Sequence, residues 1–416
     1  MIKNRMKTYK LVFGIMLSCL AINNVNGQTK TDVNQFFTSQ NGQLHVPKDI
    51  KINQIQVVGT HNSYAKKRDS VIMNFLDPMF TKMMSGMTAN MSVKEEAKWK
   101  EFHPNTMSFK EMISYSFPDF PAQLDAGMRS LAIDIVYDPE GGRFNKPAIY
   151  DVLKAKGITN YMPFDTTGLN NPGFKVMHIP DIDFLSHYNT LEAALIDLKE
   201  WSNQNPEHAP IFIMMEAKDK AFPMFPNSAK VEPFTSEIYD ELDSKLLEVL
   251  GRDKIITPND VRGDYSTLNE AVLAKNWPTL KSALGKFMFL LLPGGAGLSS
   301  ENAYIKNNPS LKDRAMFVKA DQGLPHSGFL LLDNALIRQE DIKEAVKKGY
   351  MVRTRADIET YEAKVNDLSR ANAAFSSGAQ VISTDYYEET NNYGTSYRVQ
   401  IPNNKTLQLN PINGRE

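Results

Sequence analysis

The sequence predicts an α/β fold, a (β/α)8 TIM-like barrel, from the alternation and the number of its apolar segments. Short apolar runs alternate with helical stretches along the 416 residues, which is typical of a parallel α/β protein. Eight of these runs resemble barrel strands, the number that a closed barrel needs. They are residues 54–58, 130–136, 174–178, 211–216, 286–292, 315–319, 351–354 and 380–383.

Helical stretches lie between these runs and are clearest in the second half of the chain. Apolar residues recur there at helical spacing, and three of the stretches stop directly before a glycine, a common C-terminal end of a helix. No repeat or low-complexity linker divides the series, so we expect one barrel domain over residues 28–416. The helical stretches are residues 191–201, 236–250, 341–348 and 361–377.

One long insertion, residues 66–127, separates the first two predicted strands and is rich in methionine. A methionine-rich segment forms flexible core more often than a binding surface. The insertion leaves the carboxyl end of the first strand, where barrel active sites lie. We therefore expect a helical lid or wall beside the site.

The N-terminus has the parts of an export signal. Positive charges precede a short apolar run, residues 11–22, and small residues stand before a cleavage point at Gln28. We expect residues 1–27 to be a signal peptide and the protein to be periplasmic or secreted. A buried N-terminal helix and a lipoprotein attached through Cys19 are the alternatives. Cys19 is the one cysteine, so a chain that begins at Gln28 has no thiol nucleophile and no disulfide.

Composition and charge narrow the class of protein. Hydrophobic residues make up 42% of the chain, which is enough for a full-sized core. Lys and Arg number 47 against 48 Asp and Glu, so the chain is nearly neutral. A nucleic-acid partner would normally call for a basic excess, and we expect none.

Polar groups lie at or near the carboxyl ends of four of the predicted strands. His61 and Asn62 follow the first strand, Asp134 lies in the second, and His178 and Glu216 end the third and fourth. The carboxyl ends of barrel strands meet at one mouth, so these side chains are expected to converge there. A lone histidine is usually structural or solvated, but packing alone does not explain convergence from four strands.

This set of residues suits the cleavage of a phosphodiester. That reaction needs a base for the attacking hydroxyl, an acid for the leaving oxygen and positive charge at the phosphate. His61 and His178 supply the proton transfers. Asn62, Asp134 and Glu216 offer the oxygen ligands that calcium or magnesium prefers. Zinc is disfavoured because there is no closely spaced histidine pair and no thiol.

Four further residues are candidates for substrate binding. Lys218 points to the same side as Glu216 if the strand continues, and it could then bind phosphate. The alternative is that Lys218 is an exposed lysine at the end of the strand. Arg353 and Arg355 alternate along the seventh predicted strand and either contact phosphate or act structurally. A buried arginine needs a partner, and Asp357 or Asp385 is available. We include Lys218, Arg353, Arg355 and Asp385 in the predicted site.

Eight segments, in order along the chain, resemble the calcium-dependent phosphoinositide-specific phospholipases C, and in particular their bacterial branch. The first contains Gly59-Thr60-His61-Asn62, and the resemblance extends from about Ile52 to Tyr387. It implies a barrel of the PLC-like phosphodiesterase type. The segments are residues 58–64, 124–129, 178–183, 201–202, 205–210, 255–264, 352–357 and 382–387.

The resemblance implies a role for each site residue. His61 would stabilise the pentacoordinate phosphate and protonate the leaving group, with His178 as its partner. Asn62, Asp134 and Glu216 would bind Ca²⁺, and Asp134 or Glu216 could act as the base. The animal enzymes carry a further glutamate ligand two residues before the position of Asp134, where this chain has Ala132. One expected calcium ligand is therefore missing.

The resemblance also implies the substrate. The expected reaction cleaves a phosphatidylinositol-type phosphodiester to a cyclic inositol phosphate, with possible slow opening of the ring, and diacylglycerol. Residues 290–293 lack the lysines that the animal enzymes place after the fifth strand, so unphosphorylated inositol lipid is the favoured substrate. A membrane surface is then an expected partner.

Two other functions remain open from the sequence. Glycerophosphodiesterases and sphingomyelinase-D-like enzymes use similar residues. Their first histidine is usually followed by Arg or Met, and they keep a Glu-x-Asp pair, whereas this chain has His61-Asn62 and Ala132-x-Asp134. A barrel that binds inositol lipids or glycans without turnover is favoured by Ala132. The presence of both His61 and His178 argues against it, because a binding protein needs no proton-transfer pair.

Overall fold

The computed structural model describes residues 39–40, 43–44, 49–293 and 298–414. The predicted signal peptide and Cys19 lie outside these residues. The strands are β1 (Ser39–Gln40), β2 (Gln43–Leu44), β3 (Ile55–Thr60), β4 (Ser130–Asp138), β5 (Gly173–Val176), β6 (Ile211–Ala217), β7 (Phe287–Pro293), β8 (Phe317–Val318), β9 (Phe329–Asn334), β10 (Met351–Arg355), β11 (Val381–Thr384) and β12 (Gln408–Leu409).

Eight of these strands form a parallel barrel, as the sequence predicts. Neighbouring strands follow the order β8-β7-β6-β4-β3-β11-β10-β9. A single parallel bridge between Lys319 and Phe329 links the two ends of this series, so the barrel is nearly closed. The strand residues are largely buried because both faces are covered, which is typical of parallel sheets.

Helices surround the barrel and form its insertion. Residues 66–127 contain four helices, and α1 begins where the Asp69 carboxylate accepts hydrogen bonds from the backbone N–H groups of Val71 and Ile72. Phe80 of α1 stacks on Phe109 with ring centroids 3.7 Å apart. The helices are α1 (Ser70–Thr88), α2 (Val93–Phe102), α3 (Phe109–Met112), α4 (Phe120–Asp125), α5 (Ala148–Ala155), α6 (Leu191–Gln204), α7 (Ser236–Leu250), α8 (Pro258–Arg262), α9 (Leu268–Leu273), α10 (Leu280–Ala283), α11 (Leu298–Ile305), α12 (Ala335–Lys348), α13 (Tyr361–Val365) and α14 (Ser369–Ser377). Within the described ranges, no helix is long and apolar enough to cross a membrane.

The third predicted strand is not a strand of the barrel, which corrects the prediction for residues 174–178. The observed strand β5 pairs antiparallel with residues 135–138 of β4. β4 has nine residues, and its parallel pairing with β6 ends at Ile135 opposite Ala217. The last part of β4 therefore extends beyond the barrel rim, where an antiparallel segment can pair with it.

The barrel strand β9 is absent from the eight predicted strands. This strand pairs in parallel with β10. It is one of the eight barrel strands, and residues 174–178 are not. Its apolar run is short and ends at Asp333 and Asn334, and α12 begins directly at Ala335 with Asn334 as its N-cap. Because no loop separates the strand from the helix, the run is easily taken for part of the helical stretch.

Gly59, in β3 next to the site, packs directly against β4. A Cβ atom at this position would lie 2.0 Å from the carbonyl oxygen of Ser130, and backbone on a barrel strand cannot easily move away. We expect Gly59→Ala to lower the free energy of unfolding by about 3 kcal/mol or more, measured by urea denaturation. Gly86→Ala in α1 is the matched control, because a Cβ there meets nothing within 4 Å. It should be stabilising by up to about 1 kcal/mol. Equal effects of the two changes would contradict this packing.

Candidate active site

The predicted catalytic and metal-binding residues lie on elements that end at the same mouth of the barrel. His61 and Asn62 follow β3, and Asn62 has a positive φ of 50° that turns the chain away from the strand. Asp134 on β4 lies opposite Glu216 on β6 in the strand register. His178 follows β5 by two residues, and the backbone N–H of its neighbour Met177 donates to the carbonyl of Asp134 at 3.2 Å.

A buried carboxylate holds His61. The Nδ1 atom of His61 lies 3.1 Å from Oδ1 of Asp385, which follows β11, the neighbour of β3. The backbone N–H of Asp385 donates to Asp357, and Arg355 lies 3.3 Å from the other carboxylate oxygen of Asp385. An Nδ1–H that donates to Asp385 leaves Nε2 of His61 as the nitrogen that can accept a proton.

The charges around His61 favour its neutral form. Burial, followed by the positive charges of Arg355 and Arg353, holds the pKa of His61 well below its usual value. Burial raises the pKa of Asp385 to about 6, although Arg355 opposes this shift. Burial and then Asp385 raise the pKa of Asp357 to about 8. Near neutral pH, the ring of His61 is therefore neutral and Asp385 is ionised.

A second buried carboxylate holds His178. Its Nδ1 atom lies 2.9 Å from Oδ2 of Asp183. Arg68 from the insertion grips the same carboxylate through Nε at 2.8 Å and Nη2 at 2.7 Å. Burial acts to raise the pKa of Asp183, but Arg68 outweighs it and the net shift is downward. Asp183 therefore remains anionic and can balance a positive charge on the His178 ring.

Lys218 connects the two predicted metal-binding carboxylates. Its Nζ atom lies 2.7 Å from Oε1 of Glu216 and 3.1 Å from Oδ2 of Asp134. Burial acts to lower the pKa of Lys218, but Asp134 and Glu216 outweigh it and the net shift is upward. Burial raises the pKa of Asp134, whereas Lys218 overcomes burial at Glu216 and lowers its pKa. The predicted contact between Lys218 and phosphate stays a prediction.

The donor set fits a hard cation. Asp134 and Glu216 supply carboxylate oxygens, and Oδ2 of Asp134 is buried with the Lys218 ammonium group 3.1 Å away as its ionic partner. Nδ2 of Asn62 donates to the hydroxyl of Tyr115 at 2.7 Å, which leaves the amide oxygen of Asn62 as the donor atom for a cation. The ammonium group of Lys218 already occupies the space between the two carboxylates and shows that a positive charge is stabilised there.

The number of anionic ligands is small. Among the residues that the structure describes, no group of three or more His, Cys, Asp or Glu side chains is arranged to hold a metal ion. Ala132 is buried two residues before Asp134, so its methyl group is on the same face of β4. A glutamate at that position would add a third carboxylate, and the alanine adds no ligand.

The two arginines of β10 have different environments. Arg353 is almost fully buried, forms an ion pair with Asp333 and donates from Nε to the Ser383 hydroxyl at 3.0 Å. Arg355 lies beside Asp385, and its Nη2 atom is 3.4 Å from Nδ1 of His61. Of the predicted substrate-binding residues, Arg355 and Asp385 therefore adjoin His61, while Arg353 has an interior partner that the sequence analysis did not name.

Several residues that shape the site are absent from the predicted site residues. Asp333 was not predicted because its strand, β9, was not predicted. Arg68 and Tyr115 lie in the insertion, and no local sequence pattern indicates the path of its chain. The guanidinium of Arg68 stacks on the ring of Tyr115 at 4.5 Å, so the insertion forms part of the site. Of these residues, Asp183 is the one whose contact could have been predicted, because it lies five residues after His178 in the same segment.

The fold and the site together define a class of protein, namely barrel enzymes that carry out acid–base chemistry at the carboxyl mouth of a parallel barrel. The family model described as calcium-dependent phosphoinositide phospholipase C matches residues 50–411, and the chain belongs to this family. It is thus a phosphodiesterase of the phospholipase C type. Among curated proteins, none matches the chain at a significant level.

The chain is similar to solved structures, one of which supports the barrel fold. The calcium-dependent phosphoinositol-specific phospholipase C of Pseudomonas sp., in a myo-inositol complex, is 15% identical and has a TM-score of 0.50. The match covers 89% of this chain and 100% of that chain. The calcium-dependent phosphatidylinositol-specific phospholipase C of Streptomyces antibioticus is 18% identical, with a TM-score of 0.47 and coverage of 81% and 95%.

Proposed function

We propose that the protein cleaves phosphatidylinositol-type phosphodiesters to a cyclic inositol phosphate and diacylglycerol. The observation that carries the proposal is the pair of imidazoles, each held by its own buried carboxylate. Such a pair suits a reaction in which one proton is removed and another is donated in the same turnover. The family membership adds the phosphoinositide diester as the substrate class.

The environment of each histidine supports its role in the reaction. Neutral His61 takes the proton of the inositol 2-hydroxyl at Nε2, and the freed oxygen forms a bond to phosphorus. The bond between phosphorus and the diacylglycerol oxygen breaks, and His178 gives its proton to that oxygen. Exchange with water then resets both rings. The contact between Nδ1 of His61 and Asp385 leaves Nε2 free to accept a proton, which favours His61 as the base rather than as the acid that the resemblance implies.

Positive charge near the phosphate would come from two sources. Arg355 adjoins His61 and is one of them. Asn62, Asp134 and Glu216 are the residues that would hold calcium, and a bound calcium ion supplies positive charge to the phosphate oxygens. The barrel scaffold keeps these groups in place before the substrate arrives, so little reorganisation is needed.

Six of the exposed large apolar side chains in the described part of the chain support contact with a lipid surface. They belong to segments that leave the carboxyl ends of β3, β6 and β9, which is the end that carries the site. The insertion reaches from β3 to β9, where Glu101 contacts Asn334 and Arg338, and we propose that it forms a wall of the mouth. Together with the export signal that the sequence predicts, this supports the proposal of an enzyme that acts on lipid outside the cytoplasm. The exposed side chains are Met87, Val93, Phe102, Phe222, Leu336 and Ile337.

Removal of the metal is expected to stop the reaction. A chromogenic inositol phosphodiester should be cleaved by the purified protein, and EDTA should abolish the release of product. Calcium should restore it, and magnesium should restore less, because magnesium needs a strict octahedron that three protein ligands of unequal reach do not build. Full activity after exhaustive chelation would contradict the assignment of calcium.

The two other functions make different predictions in the same assay. A glycerophosphodiesterase or a sphingomyelinase-D-like enzyme would release product from glycerol or choline diesters. A binding barrel would bind the inositol diester and release nothing. A product screen over inositol, choline and glycerol diesters therefore separates the three functions, and we expect release from the inositol diesters alone.

A further inference from the structure

The position of Lys218 follows from the strand that carries it. Its backbone N–H donates to the carbonyl of Ile135 at 2.8 Å, which continues the β6 ladder one residue past Ala217. Residues two apart on a strand share a face, so Lys218 lies on the side of Glu216. Its ammonium group therefore meets the carboxylates of both Glu216 and Asp134.

The Lys218 ammonium and a calcium ion need the same oxygens. Calcium binds carboxylate oxygens at about 2.3–2.6 Å, whereas the ammonium group lies 2.7 and 3.1 Å from them. Two cations that share one pair of carboxylates would be too close for water to screen their repulsion, because Asp134 is buried and Lys218 is only 20% exposed. The carboxylates can therefore hold one cation or the other.

We propose that Lys218 is an internal counter-cation that competes with calcium for Asp134 and Glu216. In the metal-free protein, it neutralises the two acids and keeps them together at the mouth. Lys218 has to leave this position before the carboxylates can close around calcium, and the lost contacts weaken calcium binding. Ala132 adds to this effect, since it supplies no further carboxylate to favour the metal. The proposal rests on the calcium site of the proposed function but not on turnover.

Calorimetric titration of the metal-free protein with calcium chloride tests the proposal. Lys218→Met keeps much of the side-chain volume and removes the charge, and we expect it to bind calcium roughly 10–100-fold more tightly than the wild type. This is the size expected from releasing a charge-assisted contact. Lys218→Arg is the matched control, because it keeps the positive charge and should bind calcium no more tightly than the wild type.

Thermal unfolding provides an independent readout. Without calcium, Lys218→Met leaves two acids unpaired, so its Tm should fall below that of the wild type, and calcium should raise the Tm more in the variant. If the variant does not fold without metal, it can be prepared with calcium and titrated with a chelator of known affinity. Equal or weaker calcium binding by Lys218→Met would overturn the proposal. Because no substrate is used, failure of the proposed function in a cleavage assay is a separate result.

Discussion

Replacement of His61 or His178 by alanine is expected to lower kcat/KM on phosphatidylinositol by about 10²–10⁴-fold, the usual contribution of a general acid or base. Both rings are partly exposed at the mouth and do not fill the hydrophobic core. The variants should therefore fold and unfold at nearly the temperature of the wild type. Steady-state kinetics with calcium present, together with thermal unfolding, measure the two effects separately.

A histidine at the other end of the barrel provides the matched control. His326 pairs with Glu301 at 2.7 Å, as His61 pairs with Asp385, but it lies near the amino end of β9. His326→Ala should leave kcat/KM within about twofold of the wild type, because catalytic residues of barrel enzymes lie at the carboxyl end. Near-normal activity in His61→Ala or His178→Ala would remove the proposed acid–base pair.

Replacement of Asp385 by asparagine is expected to lower kcat/KM by up to about 10⁴-fold, as loss of the carboxylate does in other aspartate–histidine pairs. Asp385 is a positioning residue, since it acts through Nδ1 of His61 and not on the substrate. An asparagine that donates its amide N–H to Nδ1 would favour the tautomer with the proton on Nε2. His61 would then present a donor where the reaction needs an acceptor.

The pH profile distinguishes this role from a structural one. Burial raises the pKa of Asp385 to about 6, so the carboxylate is ionised above that pH and gains a proton as the pH falls through it. The wild-type kcat/KM should therefore fall below about pH 6, and Asp385→Asn should lose this dependence. Glu301→Gln changes the His326–Glu301 pair at the opposite end of the barrel and should keep both the rate and the profile of the wild type. An unchanged acid limb in Asp385→Asn would contradict the role of Asp385.

Much of the barrel could be predicted because its strands are continuous apolar runs. The predicted runs 211–216 and 351–354 differ from β6 and β10 by one residue each at one end. The two errors, the run at 174–178 and the unpredicted β9, have a common cause: an apolar run does not show which strand it pairs with. The run at 174–178 forms an antiparallel pair at the rim, and β9 is joined to α12 without a break. Both outcomes depend on contacts with distant strands.

The residues that the structure brings to one mouth could be named from the sequence, but the pairs that they form could not. Period-two alternation correctly puts Lys218 on the face of Glu216, but it does not state which charge the ammonium group meets. Asp385 and His61 are 324 residues apart, and they meet because β11 lies beside β3 in the barrel. Arg68 likewise reaches Asp183 only through the folded insertion. Such contacts follow from the closure of the barrel and not from any local pattern.

Phosphorus NMR of phosphatidylinositol vesicles incubated with the purified protein and calcium identifies the bond that is cleaved. We expect the lipid phosphodiester signal to be replaced by that of a cyclic inositol phosphate, while diacylglycerol accumulates in equal amount. The vesicles with His61→Ala should show this change at a strongly reduced rate. A first-formed phosphatidic acid, or glycerophosphoinositol cleaved in preference to the intact lipid, would contradict a phospholipase C reaction.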